Sequence, residues 1–201
     1  MLSNRGFFAA ALGLALFAGR LEAQERAPSV LSVEPYIGAF QDAYDIGADG
    51  NTGALVGVRA AYDLGGRSRL VGNLAFGSTS DVASVPTGTP SYTVYGNRWL
   101  MTTAGAEYDV HPGRTAVALG LQVGAGWRQV RTEDQVGNPT NPGELASGNY
   151  AFYDVVVPSL SVRHALTPRA SVVLGVSDYV FDMLEWEPDH SPALSLGVSL
   201  R

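Results

Sequence analysis

The chain has 201 residues, of which 46% are hydrophobic and 16% are charged, but no apolar run of about twenty residues crosses its body, which argues against a helical membrane protein. The 13 basic residues are all arginines, and 19 acidic residues leave a net charge of −6, so nucleic acid is not a predicted partner. Cysteine is absent, which excludes disulfides, a thiol nucleophile and cysteine-ligated zinc.

The N-terminus has the features of a secretory signal peptide. A short segment, residues 1–5, precedes the apolar stretch FFAAALGLALFAG at residues 7–19, which is too short to span a membrane as a helix. Leu21-Glu22-Ala23 is the predicted cleavage site. We therefore expect a signal peptide over residues 1–23 and a single domain over residues 24–201.

From residue 29 onward, the polarity of the side chains alternates with the two-residue period of β-strands, and no convincing helical period appears. We predict eight strands over roughly these residues: 29–41, 53–65, 68–78, 98–110, 115–131, 150–165, 169–181 and 192–201.

The connections between these segments alternate in length. Three are tight turns (GG, HPGR and ALTP), and four are long (QDAYDIGADGNT, STSDVASVPTGTPSYTVYGN, TEDQVGNPTNPGELASGN and DMLEWEPDHSP). This alternation predicts an antiparallel up-and-down meander with all long loops at one end. Such a meander closes naturally into a barrel, which removes the exposed strand edges.

The two faces of the predicted strands differ in size and polarity. In the fifth segment, for example, Leu119, Leu121 and Val123 alternate with Gly120 and Gln122. Throughout the chain one face is large and apolar, and the other is small, with a few isolated charges. A soluble lipocalin-type barrel would expose a densely charged face to water, whereas a small face suits the narrow lumen of an eight-stranded barrel. The apolar face is therefore expected to contact lipid.

The aromatic residues on the apolar face support this interpretation. Tyr62 and Tyr108 lie near the tight turns, whereas Phe76, Trp127 and Phe152 lie near the long loops. Two such groups are typical of the aromatic girdles at the two membrane interfaces. The sequence thus predicts an all-β, eight-stranded antiparallel up-and-down transmembrane β-barrel.

A signal peptide, an N-terminal strand VEPYIGAF, alternating long and short links and a final strand ALSLGVSLR together resemble the small outer-membrane β-barrels of the OmpA-like and OmpX-like group. The resemblance covers the whole mature chain. It implies a location in the bacterial outer membrane, contact with outer-membrane lipid, insertion by the barrel-assembly machinery and a monomeric state. It also implies a structural or surface-interaction role, with a surface ligand reached through the long loops.

Charged residues on the small face are the candidates for a functional arrangement in the lumen. Because a lone charge in a narrow lumen is costly, we expect two ion pairs, Glu34 with Arg59 and Glu107 with Arg163. Charged side chains that fill the lumen would plug it, and a narrow solute channel is the alternative. The predicted inward charges are Glu34, Arg59, Asp63, Glu107, Asp109, Arg128 and Arg163.

The last long loop raises an enzymatic alternative, because it contains Asp189, His190 and Ser191. Eight-stranded barrels that modify lipid, such as the lipid A deacylases, use a histidine, a serine and an acid. However, adjacent residues seldom converge as a triad, and Pro192 indicates a turn. We predict no catalytic residues and no enzymatic activity. The acidic loops lack the spacing of an EF-hand, so no metal or cofactor is predicted.

Overall fold

Strands make up nearly all of the described part of the chain. A computed structural model describes residues 30–42, 52–79, 81–87, 89–134, 150–183 and 188–201. The predicted signal peptide and large parts of three predicted long loops lie outside the described residues. Within the described ranges, no helix is long and apolar enough to cross a membrane.

The nine described strands follow the sequence prediction closely, with one addition. They are β1 (Leu31–Gln41), β2 (Thr52–Asp63), β3 (Ser68–Ser78), β4 (Asp81–Thr87), β5 (Thr89–His111), β6 (Thr115–Asp134), β7 (Tyr150–Thr167), β8 (Ala170–Phe181) and β9 (Asp189–Leu200).

Eight of these strands form a closed antiparallel barrel. Consecutive strands pair with each other, β1 pairs with β9, and β3 pairs directly with β5. The pairing of β3 with β5 leaves β4 outside the ring. Every barrel strand therefore has a neighbour on each side, and the backbone N–H and C=O groups can be satisfied without water, as a hydrocarbon environment requires. The predicted eight-stranded up-and-down barrel is confirmed.

The prediction that the second long connection is a loop is wrong in part. Residues 81–87 form β4, which pairs with residues 89–95 at the start of β5, and Pro86 lies opposite Pro90. The two prolines favour a loop in the sequence, since proline interrupts a central strand, but β4 is an edge strand, where proline is tolerated. Beyond the barrel, Thr93 of β5 also pairs with Asp134 of β6. A small three-stranded sheet therefore extends from the long-loop end.

The prediction of a large apolar face is confirmed, and this face points outward. Leucine, valine, isoleucine and aromatic side chains alternate along all eight barrel strands and remain exposed around the ring. A soluble protein rarely exposes a continuous apolar surface of this size. Examples from successive strands are Ile37, Val56, Leu74, Leu100, Leu121, Leu160, Leu174 and Leu196.

The description of the opposite face as small, with a few isolated charges, is wrong for the long-loop half of the barrel. Large side chains form a buried cluster inside the long-loop half of the barrel, including Phe40, Trp99, Met101, Tyr179 and Phe181. Glycines on neighbouring strands leave the space that these rings occupy. The small residues are therefore local partners of large ones, in a lumen that is just wide enough for side chains.

Gly57 shows how closely such a pair fits. It lies opposite Tyr36 in the β1–β2 ladder, and a Cβ atom added to Gly57 would overlap the Tyr36 ring. Replacing Gly57 with alanine should therefore destabilise the barrel by roughly 1–3 kcal/mol, the usual cost of overpacking, measured by urea unfolding. Gly72→Ala is the matched control, because a Cβ atom there meets nothing within 4 Å. Equal losses in the two variants would contradict close packing at Gly57.

Candidate functional site in the barrel lumen

Glu107 is the centre of a charged network in the tight-turn half of the lumen. Its side chain is 1% exposed. It contacts three arginines from three different strands: Arg59 Nη1 at 2.6 Å, Arg69 Nη2 at 3.1 Å and Arg163 Nη2 at 3.5 Å. The facing residue on β6 is Gly120, where a Cβ atom would lie 3.1 Å from Glu107 Cγ. The absence of a side chain at Gly120 thus leaves room for the Glu107 carboxylate.

Arg59 joins the two acids that face it. Its Nη2 donates to Glu34 Oε1 at 2.5 Å, and its Nη1 donates to Glu107 Oε1 at 2.6 Å. Glu34 is its direct neighbour on β1, whereas Glu107 reaches it from β5. The structure therefore brings Glu34 and Arg59 together, as expected, and adds Glu107 as a second partner.

The network continues toward the tight turns. Arg69 Nη2 donates to Asp109 Oδ1 at 2.9 Å, and Arg163 Nη1 lies 3.7 Å from the same oxygen. Asp63 stands at the margin, with Oδ1 3.9 Å from Arg69 Nε and Oδ2 3.9 Å from Arg201 Nη2. The expected contact between Glu107 and Arg163 is present, but each residue also has other partners. Six of the seven predicted inward charges, all except Arg128, thus belong to one connected cluster.

Glu34 and Arg59 of the network also line a cavity of about 40 Å³, together with polar and apolar side chains of neighbouring strands. Tyr36 Oη donates to Asn73 Oδ1 at 2.9 Å, and Thr103 Oγ1 donates to Gln122 Oε1 at 2.8 Å. A cavity of this volume has room for roughly two or three water molecules. The buried hydroxyl of Ser159, which lines it, is a suitable partner for such water.

The long-loop half of the lumen is filled by the aromatic cluster. Trp99 and Phe181 stack with ring centroids 4.5 Å apart, and Tyr153 contacts both rings. Arg128 lies in this half of the barrel, next to the aromatic rings. Its guanidinium carbon is 5.9 Å from the Trp99 centroid and 5.5 Å from the Tyr153 centroid, a cation–π arrangement.

The buried carboxylate of Asp42 lies at the long-loop side of the aromatic cluster. Asp42 Oδ2 accepts hydrogen bonds from Trp99 Nε1 at 3.1 Å, Asn97 Nδ2 at 2.8 Å and Thr79 Oγ1 at 3.3 Å. The connection between β3 and β5 and the end of β1 are thereby tied together inside the barrel mouth. The sequence places Asp42 in the first acidic loop and does not predict its role in this closure.

Two residues of the site, Asp42 and Arg69, are absent from the predicted inward charges, although the alternation along their strands indicates that both face inward. Asp42 continues the inward series of β1, which runs through Tyr36 and Phe40. Arg69 is likewise inward by its spacing from Asn73 in β3. Neither residue is predicted to face the lumen, because Asp42 begins an acidic loop and Arg69 follows a tight turn.

The predicted girdle residues lie on the outer surface. Tyr62 and Tyr108 are exposed near the tight turns, and Phe76, Trp127 and Phe152 are exposed nearer the long loops. Trp127 and Phe152 face each other across the β6–β7 ladder, with ring centroids 5.9 Å apart. Their positions on the exterior are those expected of interfacial aromatics.

The assignment of Asp189, His190 and Ser191 to a turn is wrong. These residues begin β9, which contains Pro192 within the strand. Because successive strand side chains point to opposite faces, His190 is exposed on the exterior, whereas Ser191 is 1% exposed and faces the lumen. His190 Nδ1 instead lies 2.6 Å from Asp178 Oδ2. The structure therefore does not assemble these three neighbours as a triad.

Three solved structures are similar to this chain in fold. Neisserial surface protein A is 15% identical with a TM-score of 0.52, and the match covers 87% of this chain and 99% of that one. A major outer membrane protein from Thermus thermophilus is 17% identical with a TM-score of 0.53, covering 87% and 100%. Ail, the attachment invasion locus protein of Yersinia pestis, is 12% identical with a TM-score of 0.50, covering 86% and 96%.

No protein-family model and no curated protein matches the chain. At these low identities, the similarity to solved structures concerns the fold alone. The chain has the eight-stranded fold of small bacterial outer-membrane barrels, which confirms the fold implied by the resemblance. This fold and the apolar exterior both support a location in the outer membrane.

Proposed function

We propose that this protein is a closed barrel of the bacterial outer membrane with a structural or surface-interaction role, and that side chains plug its lumen. The observation that carries the proposal is the three-arginine contact of Glu107. Ion contacts among Glu34, Arg59, Arg69, Glu107 and Arg163 link several strands and occupy the cross-section. The aromatic cluster around Trp99 provides a second, apolar obstruction toward the long loops.

Fractionation and protease treatment test this location and its orientation. The mature protein should fractionate with the outer membrane and migrate differently on gels before and after boiling. With both termini in the periplasm, protease added to whole cells should cut near residues 139–145 or 184–190. Recovery as a soluble periplasmic monomer would refute the proposal, and cleavage confined to residues 65–67 or 111–114 would reverse the orientation.

The plug predicts that the wild-type barrel shows no steady conductance in a planar bilayer. Trp99→Ala combined with Phe181→Ala should also remain non-conducting, because the Glu107 network still occupies the other half of the lumen. Adding Glu107→Ala to this double variant removes the side chain that joins Arg59, Arg69 and Arg163 and weakens the second obstruction, so ion flow is expected if the barrel stays folded. Steady conductance of the wild type would support the narrow solute channel instead.

The surface-interaction role rests on the sheet that β4, β5 and β6 form beyond the barrel. In the described part of this sheet, β4 pairs with β5 alone. A free strand edge offers backbone donors and acceptors to an extended partner segment. The four predicted long connections contain no lysine or arginine but include several acids, so a neutral or basic partner fits them best.

This charge pattern bears on a ligand seen with a similar structure. Ail has been crystallised with the heparin analogue sucrose octasulfate, which is strongly anionic. Acidic long loops would repel such a polyanion. We therefore propose that the surface partner of this chain differs in charge from that ligand, and binding assays with basic and sulfated peptides would separate the two cases.

A lipid-modifying enzyme remains the second candidate because of one contact, the exterior pair of His190 and Asp178. Such a pair could act as a general base, but the neighbouring serine, Ser191, faces the lumen. Acyl-ester hydrolysis should be measured for the wild type and for His190→Ala in the same lipid vesicles. Activity that is present in the wild type and lost in the variant would favour the enzyme.

A further inference from the structure

Every tight connection of the barrel ends in an exposed arginine. Arg67 follows Gly66, Arg114 follows Gly113, and Arg169 follows Pro168, each immediately before the next strand begins. Arg201, after the end of β9, adds an exposed arginine at the same end of the barrel. These four residues, Arg67, Arg114, Arg169 and Arg201, are called the arginine rim below.

The backbone of the rim is held in place by the sheet. The carbonyl of Arg67 accepts a hydrogen bond from Asp109 N at 2.8 Å, and the carbonyl of Arg114 accepts one from Ala165 N at 2.8 Å. The carbonyl of Arg169 accepts one from Arg201 N at 3.0 Å. The rim is therefore part of the rigid end of the barrel, and its side chains project from fixed points around the circumference.

Among the described residues, Arg201 is the rim arginine that contacts an acid, Asp63. Asp109 pairs with Arg69 and Arg163 in the lumen, and Asp63 lies no closer than 3.9 Å to Arg201. Among the described residues, no carboxylate lies within ion-pair distance of Arg67, Arg114 or Arg169. Arg114 Nε donates to the carbonyl of Ala165 at 3.4 Å, and all four rim arginines are exposed.

The rim borders the apolar exterior directly. Tyr62 and Tyr108 are exposed at this end, as are Leu166, three residues before Arg169, and Leu200, next to Arg201. Arginines beside interfacial tyrosines can lay their aliphatic stems on the apolar surface and hold their guanidinium groups at the headgroup level. Guanidinium groups bind phosphate oxygens with paired hydrogen bonds.

We propose that the arginine rim binds the phosphate groups of anionic phospholipids in the leaflet next to the tight turns. The inference rests on the proposed function as a membrane barrel and adds a lipid preference to it. The preference is expected at the tight-turn end, because the predicted long connections at the other end contain no lysine or arginine, although Arg98 and Arg131 flank them. The rim would thereby fix the depth and orientation of the barrel through the composition of a single leaflet.

The test is lipid retention by the full mature chain. The folded protein is taken from bilayers of phosphatidylcholine and phosphatidylglycerol, and the lipids that remain bound are counted by native mass spectrometry. The wild type should retain phosphatidylglycerol above its share of the bilayer. Each Arg→Gln change in the rim should weaken this preference about fivefold, since one basic residue near a charged surface contributes about that factor. Arg67→Gln, Arg114→Gln and Arg169→Gln together should abolish it.

Matched variants distinguish phosphate binding at the rim from a general effect of losing positive charge. Arg98→Gln removes an exposed arginine near the long-loop end and should leave the preference unchanged, whereas lysine at the three rim positions should keep most of it. A triple glutamine variant that is heat-modifiable and still prefers phosphatidylglycerol would overturn the proposal. So would an equal effect of Arg98→Gln and Arg67→Gln. A wild type that retains no lipid would also overturn the proposal for the rim, whereas a wild type that does not insert into the bilayers would overturn the membrane location itself.

Discussion

Glu107→Ala should destabilise the folded barrel by roughly 3–5 kcal/mol, the range observed when one partner of a buried ion pair is removed. The physical reason is that Glu107 contacts Arg59, Arg69 and Arg163. Without its carboxylate, the positive charges of these three arginines would repel one another with less negative charge nearby. The measurement is urea unfolding in phospholipid vesicles, followed by the fraction that migrates as the unboiled, folded form.

Glu34→Ala is the matched control for the central position of Glu107. Arg59 would lose one acid but keep its 2.6 Å contact with Glu107, so a smaller loss of roughly 1–3 kcal/mol is expected, as for a hydrogen bond to a charged group. Removing Arg163 together with Glu107 should recover part of the loss, because contacting residues are not additive. Small, additive losses in all variants would show that the network is hydrated and would count against the plug.

Leu121→Arg should cost roughly 2–4 kcal/mol in a bilayer, the range for arginine near the midplane on the lipid-facing surface of a barrel. Leu121 lies at the middle of the apolar exterior and is 53% exposed. An exposed arginine on a soluble protein would be nearly harmless, because its charge would remain in water. The free energy of unfolding should be measured in lipid vesicles.

Leu166→Arg provides the control at another depth. Leu166 is exposed to the same degree, 56%, but it lies one residue before the end of β7, where the cost of arginine should fall to roughly 0–1 kcal/mol. Exposure alone therefore predicts equal effects, whereas a membrane predicts a large difference between the two sites. Equal effects would argue that the exterior does not contact hydrocarbon.

The sequence by itself determined the number, order and direction of the barrel strands. Alternation along a strand is a local property, so residues such as Leu119 and Gln122 can be assigned to opposite faces without knowledge of any neighbour. Loop lengths then determine the meander. Local information is weaker where prolines and acids mark segment ends, which is why β4 and the first residues of β9, including His190, resemble loops in the sequence.

Only the tertiary structure decided which side chains meet in the lumen. Arg59 and Glu34 are direct neighbours in the β1–β2 ladder, so their contact could be predicted from adjacent strands. The contact of Arg59 with Glu107 depends on the registers of β2, β3 and β5 together and on the curvature that closes the barrel. The separation of charged residues toward the tight turns from aromatic residues such as Trp99 toward the long loops arises in the same way. Alternation predicts that a residue faces inward. Its position along the barrel axis and its contact partner depend on the pairing of all eight strands in the closed barrel.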